Sequence, residues 1–150
     1  MPKNDTVRIY DAASNSYKDI ARIIKTDKEW QEILTPQQYD ILREHGTEAA
    51  FCGLPTKGHK HGIYQCAGCG TDLFKVGEKF ESGTGWPSFW DPIDPANVAY
   101  TEDNSYGMIR VEVHCARCQG HLGHVFDDGP PPTGKRYCIN SYALKFVEDK

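Results

Sequence analysis

Two stretches decide how this chain folds: Gly62-Ile63-Tyr64-Gln65-Cys66-Ala67-Gly68-Cys69, and Met108-Ile109-Arg110-Val111-Glu112-Val113-His114-Cys115-Ala116-Arg117-Cys118. Each begins as a short run of β-branched and apolar residues, the second in strict alternation, which predicts a strand. Each then ends in a Cys-x-x-Cys pair. Two residues between cysteines let a tight turn aim both sulfurs at one ion, and two such turns supply the four thiolates of a closed tetrahedral zinc site. Residues 70–114 separate the pairs, so the metal would clip two distant strands together. Structural zinc of this type contributes an apparent ~10–16 kcal/mol to folding, comparable with a domain's whole net stability of about 5–15 kcal/mol. One pair alone would also suit a thioredoxin-like redox motif, but that motif expects a βαβ setting, and neither pair opens onto a helical pattern. The expectation is one structural zinc per chain on Cys66, Cys69, Cys115 and Cys118, with no open position for a reacting water.

Around this centre the chain reads as mainly β. Arg136-Tyr137-Cys138-Ile139-Asn140-Ser141-Tyr142-Ala143-Leu144-Lys145-Phe146 alternates again and predicts one strand, with Cys138 and Asn140 on the same face. Asp127–Gly134 holds three prolines and two glycines and predicts a loop. Two short helices precede the first knuckle. Thr26-Asp27-Lys28-Glu29 fits a capping box ahead of Trp30, Ile33 and Leu34. Thr35-Pro36-Gln37-Gln38 fits a second, followed by Tyr39, Ile41 and Leu42 and a stop at His45-Gly46. The fold expected is mainly β, two antiparallel sheets clipped by a four-cysteine zinc site, with short N-terminal helices. Residues 1–25 form an arm and 26–150 a single catalytic domain.

Composition narrows the function. The chain has 150 residues, 39% hydrophobic and 25% charged, an ordinary globular balance. A formal charge of −4 argues against a protein built to grip phosphate backbones. No run approaches the ~20 apolar residues of a membrane span, and Met1-Pro2-Lys3-Asn4-Asp5 opens no secretory signal. The reading is a cytoplasmic protein with neither nucleic acid nor membrane as partner, and its cysteines then favour metal or redox chemistry over a disulfide framework.

Of the six cysteines, Cys52 and Cys138 stand outside the knuckles. Cys138 lies two residues from Arg136 and close to Gly120-His121-Leu122-Gly123-His124, a setting able to activate a thiol. A buried structural cysteine fits the same position. Ser82-Gly83-Thr84-Gly85-Trp86-Pro87-Ser88-Phe89-Trp90 places two tryptophans among glycines and a proline, as an aromatic wall for an apolar or cationic group or as core.

Together these blocks, with the Glu29–Phe51 region, closely resemble the methionine-R-sulfoxide reductases, over about residues 26–146. The resemblance implies thiol-dependent reduction of methionine-R-sulfoxide, protein-bound or free, to methionine. It makes Cys138 the nucleophile that becomes a sulfenic acid, and sets Trp86 against the substrate methyl. It groups His121, His124 and Asn140 around the sulfoxide oxygen, with Arg136 beside the nucleophile. It also names oxidised proteins or peptides as substrates and thioredoxin as reductant. Many members carry a resolving cysteine where this chain has Thr84. Cys52, a position used by some members, is then the partner implied for Cys138. Two rivals stay open on the residues alone: a zinc-stabilised interaction module, and a cysteine hydrolase using Cys138 with His124.

Overall fold

The computed structural model describes residues 6–23, 25–44, 62–80, 87–103 and 110–148. The chain enters as a hairpin, β1 (Thr6–Asp11) and β2 (Ser16–Ala21), so the expected arm has a folded strand pair of its own. Helices α1 (Asp27–Ile33) and α2 (Pro36–Glu44) follow. Both start as their sequences predict. The Glu29 N–H donates to Thr26 Oγ1 and the Thr26 N–H to Glu29 Oε1; Thr35 and Gln38 repeat the exchange. These reciprocal bonds satisfy N–H groups that a helix start leaves without partners. One residue of the predicted stripe is corrected. Trp30 and Leu34 are buried, but Ile33, in the last turn of this seven-residue helix, is 56% exposed. The His45-Gly46 stop lies outside the described residues.

The remaining strands are β3 (Gly62–Cys66), β4 (Asp72–Lys75), β5 (Lys79–Phe80), β6 (Ser88–Phe89), β7 (Val98–Asp103), β8 (Arg110–Cys115), β9 (His121–Phe126), β10 (Arg136–Ile139) and β11 (Leu144–Glu148). They form a six-stranded sheet in the order β5-β6-β10-β9-β8-β7 and a three-stranded sheet in the order β11-β3-β4. Every pairing is antiparallel. The mainly β architecture with two short helices is as expected, with the β1–β2 hairpin as a third, smaller sheet.

The predicted strand over Arg136–Phe146 is broken in two. β10 lies in the large sheet and β11 in the small one, joined by a 3-10 turn at Ser141–Ala143. The break comes after Asn140. Its N–H and its side-chain Nδ2 both donate to the Leu122 carbonyl, at 2.9 and 3.0 Å. The N–H bond is the next rung of the β9–β10 ladder, and Asn140 is still extended, at φ −73° and ψ 129°. The chain turns after it, where the Ala143 N–H closes the 3-10 turn onto the Asn140 carbonyl. The expected single strand to Phe146 is therefore corrected: the pleat of β10 does not run on past Asn140.

Aromatic side chains lock the two sheets together. Phe74 of β4 stacks on Phe89 of β6 with centroids 4.4 Å apart, Tyr64 of β3 meets Phe89 edge-on at 5.4 Å, and Tyr137 of β10 tilts against Phe74 at 5.8 Å. Such pairs add roughly 0.5–1.5 kcal/mol each beyond area burial. Trp30, Ile41 and Leu42 extend this core over the knuckles. Among the described residues, no helix is long and apolar enough to cross a membrane.

The hairpin is fastened by one fully buried side chain. Asn97 Oδ1 accepts from the Tyr10 N–H at 2.8 Å, and its Nδ2 donates to the Tyr10 and Asp72 carbonyls. Its backbone carbonyl accepts from Ala116 in the second knuckle. Further bonds run from Ile23 N–H to the Arg117 carbonyl and from Arg117 Nε to the Ala21 carbonyl. Truncating Asn97 removes three hydrogen bonds to part-buried backbone groups of Tyr10 and Asp72, at about 0.5–1.5 kcal/mol apiece. Asn97→Ala is therefore expected to lower the melting temperature by at least about 5 °C, at a few degrees per kcal/mol for this size. An unchanged thermal scan would mean the hairpin is not held through Asn97.

Candidate active site and metal centre

Both knuckles are built on the same backbone plan. The Cys66 N–H donates to the Thr71 carbonyl and the Gly70 N–H to the Cys66 carbonyl; Cys115 with Gly120, and Gln119 with Cys115, repeat the pair at 2.9 Å. The fifth residue of each turn is left-handed, Gly70 at φ +80° and Gln119 at φ +65°. Glycine adopts this conformation at no steric cost, whereas Gln119 holds it under mild strain.

The turns bring four sulfurs together, all within 4.8 Å of one another. Cys66 Sγ lies 3.6 Å from Cys118 Sγ, and Cys69 Sγ 3.5 Å from Cys115 Sγ. A disulfide would need about 2.05 Å. Zn–S bonds of about 2.3 Å in a tetrahedron give sulfur–sulfur edges of about 3.8 Å, so the spacing fits a metal and excludes a disulfide pair. The sulfurs also interact with one another. Donation to neighbouring sulfurs pushes the Cys66 and Cys115 thiols well above the usual range, and the same bonds hold Cys69 and Cys118 below it. A divalent cation would take the place of those protons and let all four ionise. The Thr71 hydroxyl, 3.1 Å from Cys69 Sγ, is placed to donate to it. The helices cover the centre. A Cβ on Gly120 would approach Leu42 to 2.9 Å, one on Gly68 would meet Trp30 at 3.3 Å, and Arg43 Nη1 donates to the Cys118 carbonyl.

The second knuckle feeds directly into β9, which carries both histidines. On a regular strand the spacing of His121 and His124 would turn them to opposite faces. A β-bulge prevents this. The β8–β9 register runs Glu112↔His124 and Val113↔Gly123, then shifts to His114↔His121 with Leu122 as the extra residue. Bulges re-aim side chains in this way, and the two bonds from Asn140 grip the bulged residue's carbonyl. His121 and His124 then meet edge to face, with ring centroids 5.6 Å apart.

Cys138 is half-buried in β10, opposite His124 on one side and Ser88 on the other. Directly opposed side chains share a face about 5 Å apart, so Thr101, Glu112, His124, Cys138 and Ser88 form one row across five strands. Arg136 sits two residues from Cys138 on the same face. Its Nε and Nη2 grip Asp128 at 2.8 and 3.2 Å, and its guanidinium lies over the Phe126 ring at 4.5 Å. The hydrogen bond to Asp128 raises its pKa, burial opposes the shift, and Cys138 adds a smaller contribution.

The structure thus brings together Cys138, His121, His124 and Arg136, while Asn140 acts on the strand beneath them. Cys52, Thr84 and Trp86 lie outside the described residues. Two partners are not singled out by the sequence: Asp128, which holds Arg136, and Glu112, whose Oε2 is 2.7 Å from His121 Nδ1. The alternation Arg110, Glu112, His114 along β8 is the signal for the second, since it marks a polar sheet face.

Fold and site together define a mainly β domain with a four-cysteine centre and a thiol on the adjoining sheet. The chain belongs to the SelR domain family, which matches residues 34–148. It is 54% identical over 129 residues to the peptide methionine sulfoxide reductase MsrB of Methanosarcina mazei, covering 86% of this chain and 92% of that relative. The protein of the same name from Agrobacterium fabrum is 51% identical over 125 residues, 83% of this chain and 93% of its own length. Mouse methionine-R-sulfoxide reductase B3, mitochondrial, is 52% identical over 130 residues, covering 87% of this chain and 51% of the relative.

Gly123 offers a direct test of how β9 sets Cys138. A Cβ there would fall 2.0 Å from the Cys138 carbonyl oxygen, whereas one on Gly77 meets nothing within 4 Å. Overpacking of this kind costs about 1–3 kcal/mol or more. In urea denaturation, Gly123→Ala is expected to lose at least ~3 kcal/mol and Gly77→Ala less than about 1; similar values for both would mean that β9 gives way freely.

Proposed function

We propose that this chain reduces methionine-R-sulfoxide, protein-bound or free, through a Cys138 sulfenic acid, and that a thioredoxin-type dithiol recycles it. The observation that carries the reading is the opposition of Cys138 and His124 on a polar sheet face, in a chain whose relatives bear the name of this activity. The enzyme is an oxidoreductase, a peptide-methionine (R)-S-oxide reductase. Cys66, Cys69, Cys115 and Cys118 would hold one zinc ion, which closes the fold and takes no part in the reaction; their spacing and thiol chemistry support it. Thiols clustered without disulfide geometry also suit a reducing setting such as the cytoplasm.

The reaction divides into three balanced steps. Cys138 Sγ attacks the sulfoxide sulfur, and the oxygen passes to Cys138, leaving a thioether and a sulfenic acid. The Cys52 thiol then attacks the sulfenic sulfur, forming a Cys52–Cys138 disulfide and releasing water. Thioredoxin opens that disulfide by exchange and is itself oxidised.

Magnitudes say where catalysis comes from. A thiol of pKa ~8.5 is about 3% ionised at pH 7, and one of pKa ~6 about 90%. Nucleophilicity falls over the same interval by about tenfold, for a Brønsted slope near 0.4–0.5, so activating the thiol nets only about threefold. The departing oxygen must be protonated, and general acid catalysis supplies roughly 10²–10⁴. We assign that role to His121 and His124. Arg136 sits beside the nucleophile, Asn140 serves the site by holding the bulge that presents His121, and Trp86 supplies the wall for the substrate methyl. That arrangement leaves the oxygen of the opposite epimer against an indole and without a hydrogen bond, a cost of order 1–3 kcal/mol.

Mass spectrometry of the reduced, metal-loaded protein tests the reading. Mixed with the R epimer alone, the chain is expected to lose about two mass units, mapped to a Cys52–Cys138 disulfide; Cys52→Ser should instead gain about sixteen on Cys138 and stall under thioredoxin recycling. No mass change with either epimer would overturn the activity. Full steady-state turnover by Cys52→Ser would remove Cys52 as resolving residue.

A further inference from the structure

The row across the large sheet contains a carboxylate with no role in the steps above. Glu112 is only 13% exposed at its side chain and His121 only 3%, and their Oε2 and Nδ1 atoms are 2.7 Å apart. A carboxylate that accepts in this bond puts the imidazole proton on Nδ1. That leaves Nε2 as the ring's other exchange atom. The ring is turned toward His124, and His124 stands opposite Cys138.

Stability does not explain the pair. Burying a carboxylate against an imidazole carries a desolvation penalty that an apolar pair of similar volume avoids, and the neighbouring core positions Val113 and Leu122 are apolar and fully buried. Two polar groups on the same sheet have partners of their own. His114 Nε2 is 2.8 Å from Thr101 Oγ1, and Arg136 is engaged with Asp128. It is Glu112 that reaches Nδ1 of the His121 ring.

We propose that Glu112 is a positioning residue for the reduction: through its bond to Nδ1 it fixes the tautomer and direction of His121, so that Nε2 faces the departing sulfoxide oxygen. The proposal rests on the function inferred above. Partners that orient a working histidine are typically worth about 10–100-fold in activity.

A double-mutant cycle separates action through His121 from a general structural effect. Glu112→Gln is expected to slow single-turnover sulfoxide reduction at least about tenfold, and to add less than about twofold when His121→Asn is already present. Alkylation of Cys138 by iodoacetamide should stay within about twofold throughout, since the strand that carries the thiol is unaltered. Nitrogen-15 NMR of the imidazoles should show His121 protonated at Nδ1 in the parent chain and losing that preference in Glu112→Gln. If Glu112→Gln does not fold, Glu112→Asp keeps the charge, loses the reach, and is expected to give the same result. Additive losses, or an unaltered His121 tautomer, would overturn the proposal. A parent chain that reduces neither epimer would instead overturn the function, while the NMR tautomer would still report on Glu112.

Discussion

Four sulfurs drawn within 4.8 Å of one another are the constraint on which the rest of this molecule depends. Cys66 ends β3 in the small sheet and Cys115 ends β8 in the large one, so the cluster joins two sheets at the points where each strand turns back. Aromatic packing between Phe74, Phe89, Tyr64 and Tyr137 holds the sheets face to face farther along. A metal held by the four thiolates at the knuckles would add to this, because its binding energy is folding energy. The hairpin, through Asn97, and the two helices, through Leu42, Trp30 and Arg43, close around the same point.

From that centre the path to the chemistry is short. The second knuckle ends at Gly120, β9 begins at His121, and the bulge at Leu122 decides which way the first histidine points. Gly123 then lets β9 approach the Cys138 carbonyl more closely than any side chain permits. The four-cysteine centre thus lies at one end of the β8–β9–β10 ladder that carries the thiol. An ion held there would bear on the site through the strand register that Cys138 and the two histidines share.

Much of this is legible in the sequence. The Cys-x-x-Cys turns, the strands that feed them and both capping boxes are local signals, each set by a few adjacent residues, and the structure bears them out. Non-local features are not legible. Nothing in Arg136–Phe146 itself announces a break after Asn140, because the chain leaves one sheet there for the other, and the strands that flank it in each come from distant parts of the sequence. The bulge that unites His121 and His124 is a mismatch between two strands, which neither strand records. Glu112 is visible as one polar residue in an alternating strand, but its bond to His121 exists only once the bulge has turned the ring. Ile33 departs from expectation for the opposite reason: helical spacing marks a face, and a two-turn helix need not bury all of it.

The central claim is that the four-cysteine centre holds the strand register presenting Cys138. Amide hydrogen exchange, followed in the as-isolated protein and after removal of metal by a chelator under reducing conditions, tests it most directly. The account predicts one zinc per chain at the start. Protection should be lost on chelation at both knuckles and in β8, β9 and β10, together with single-turnover sulfoxide reduction. A metal-free chain that kept its protection in β9 and β10 and its single-turnover rate would contradict it.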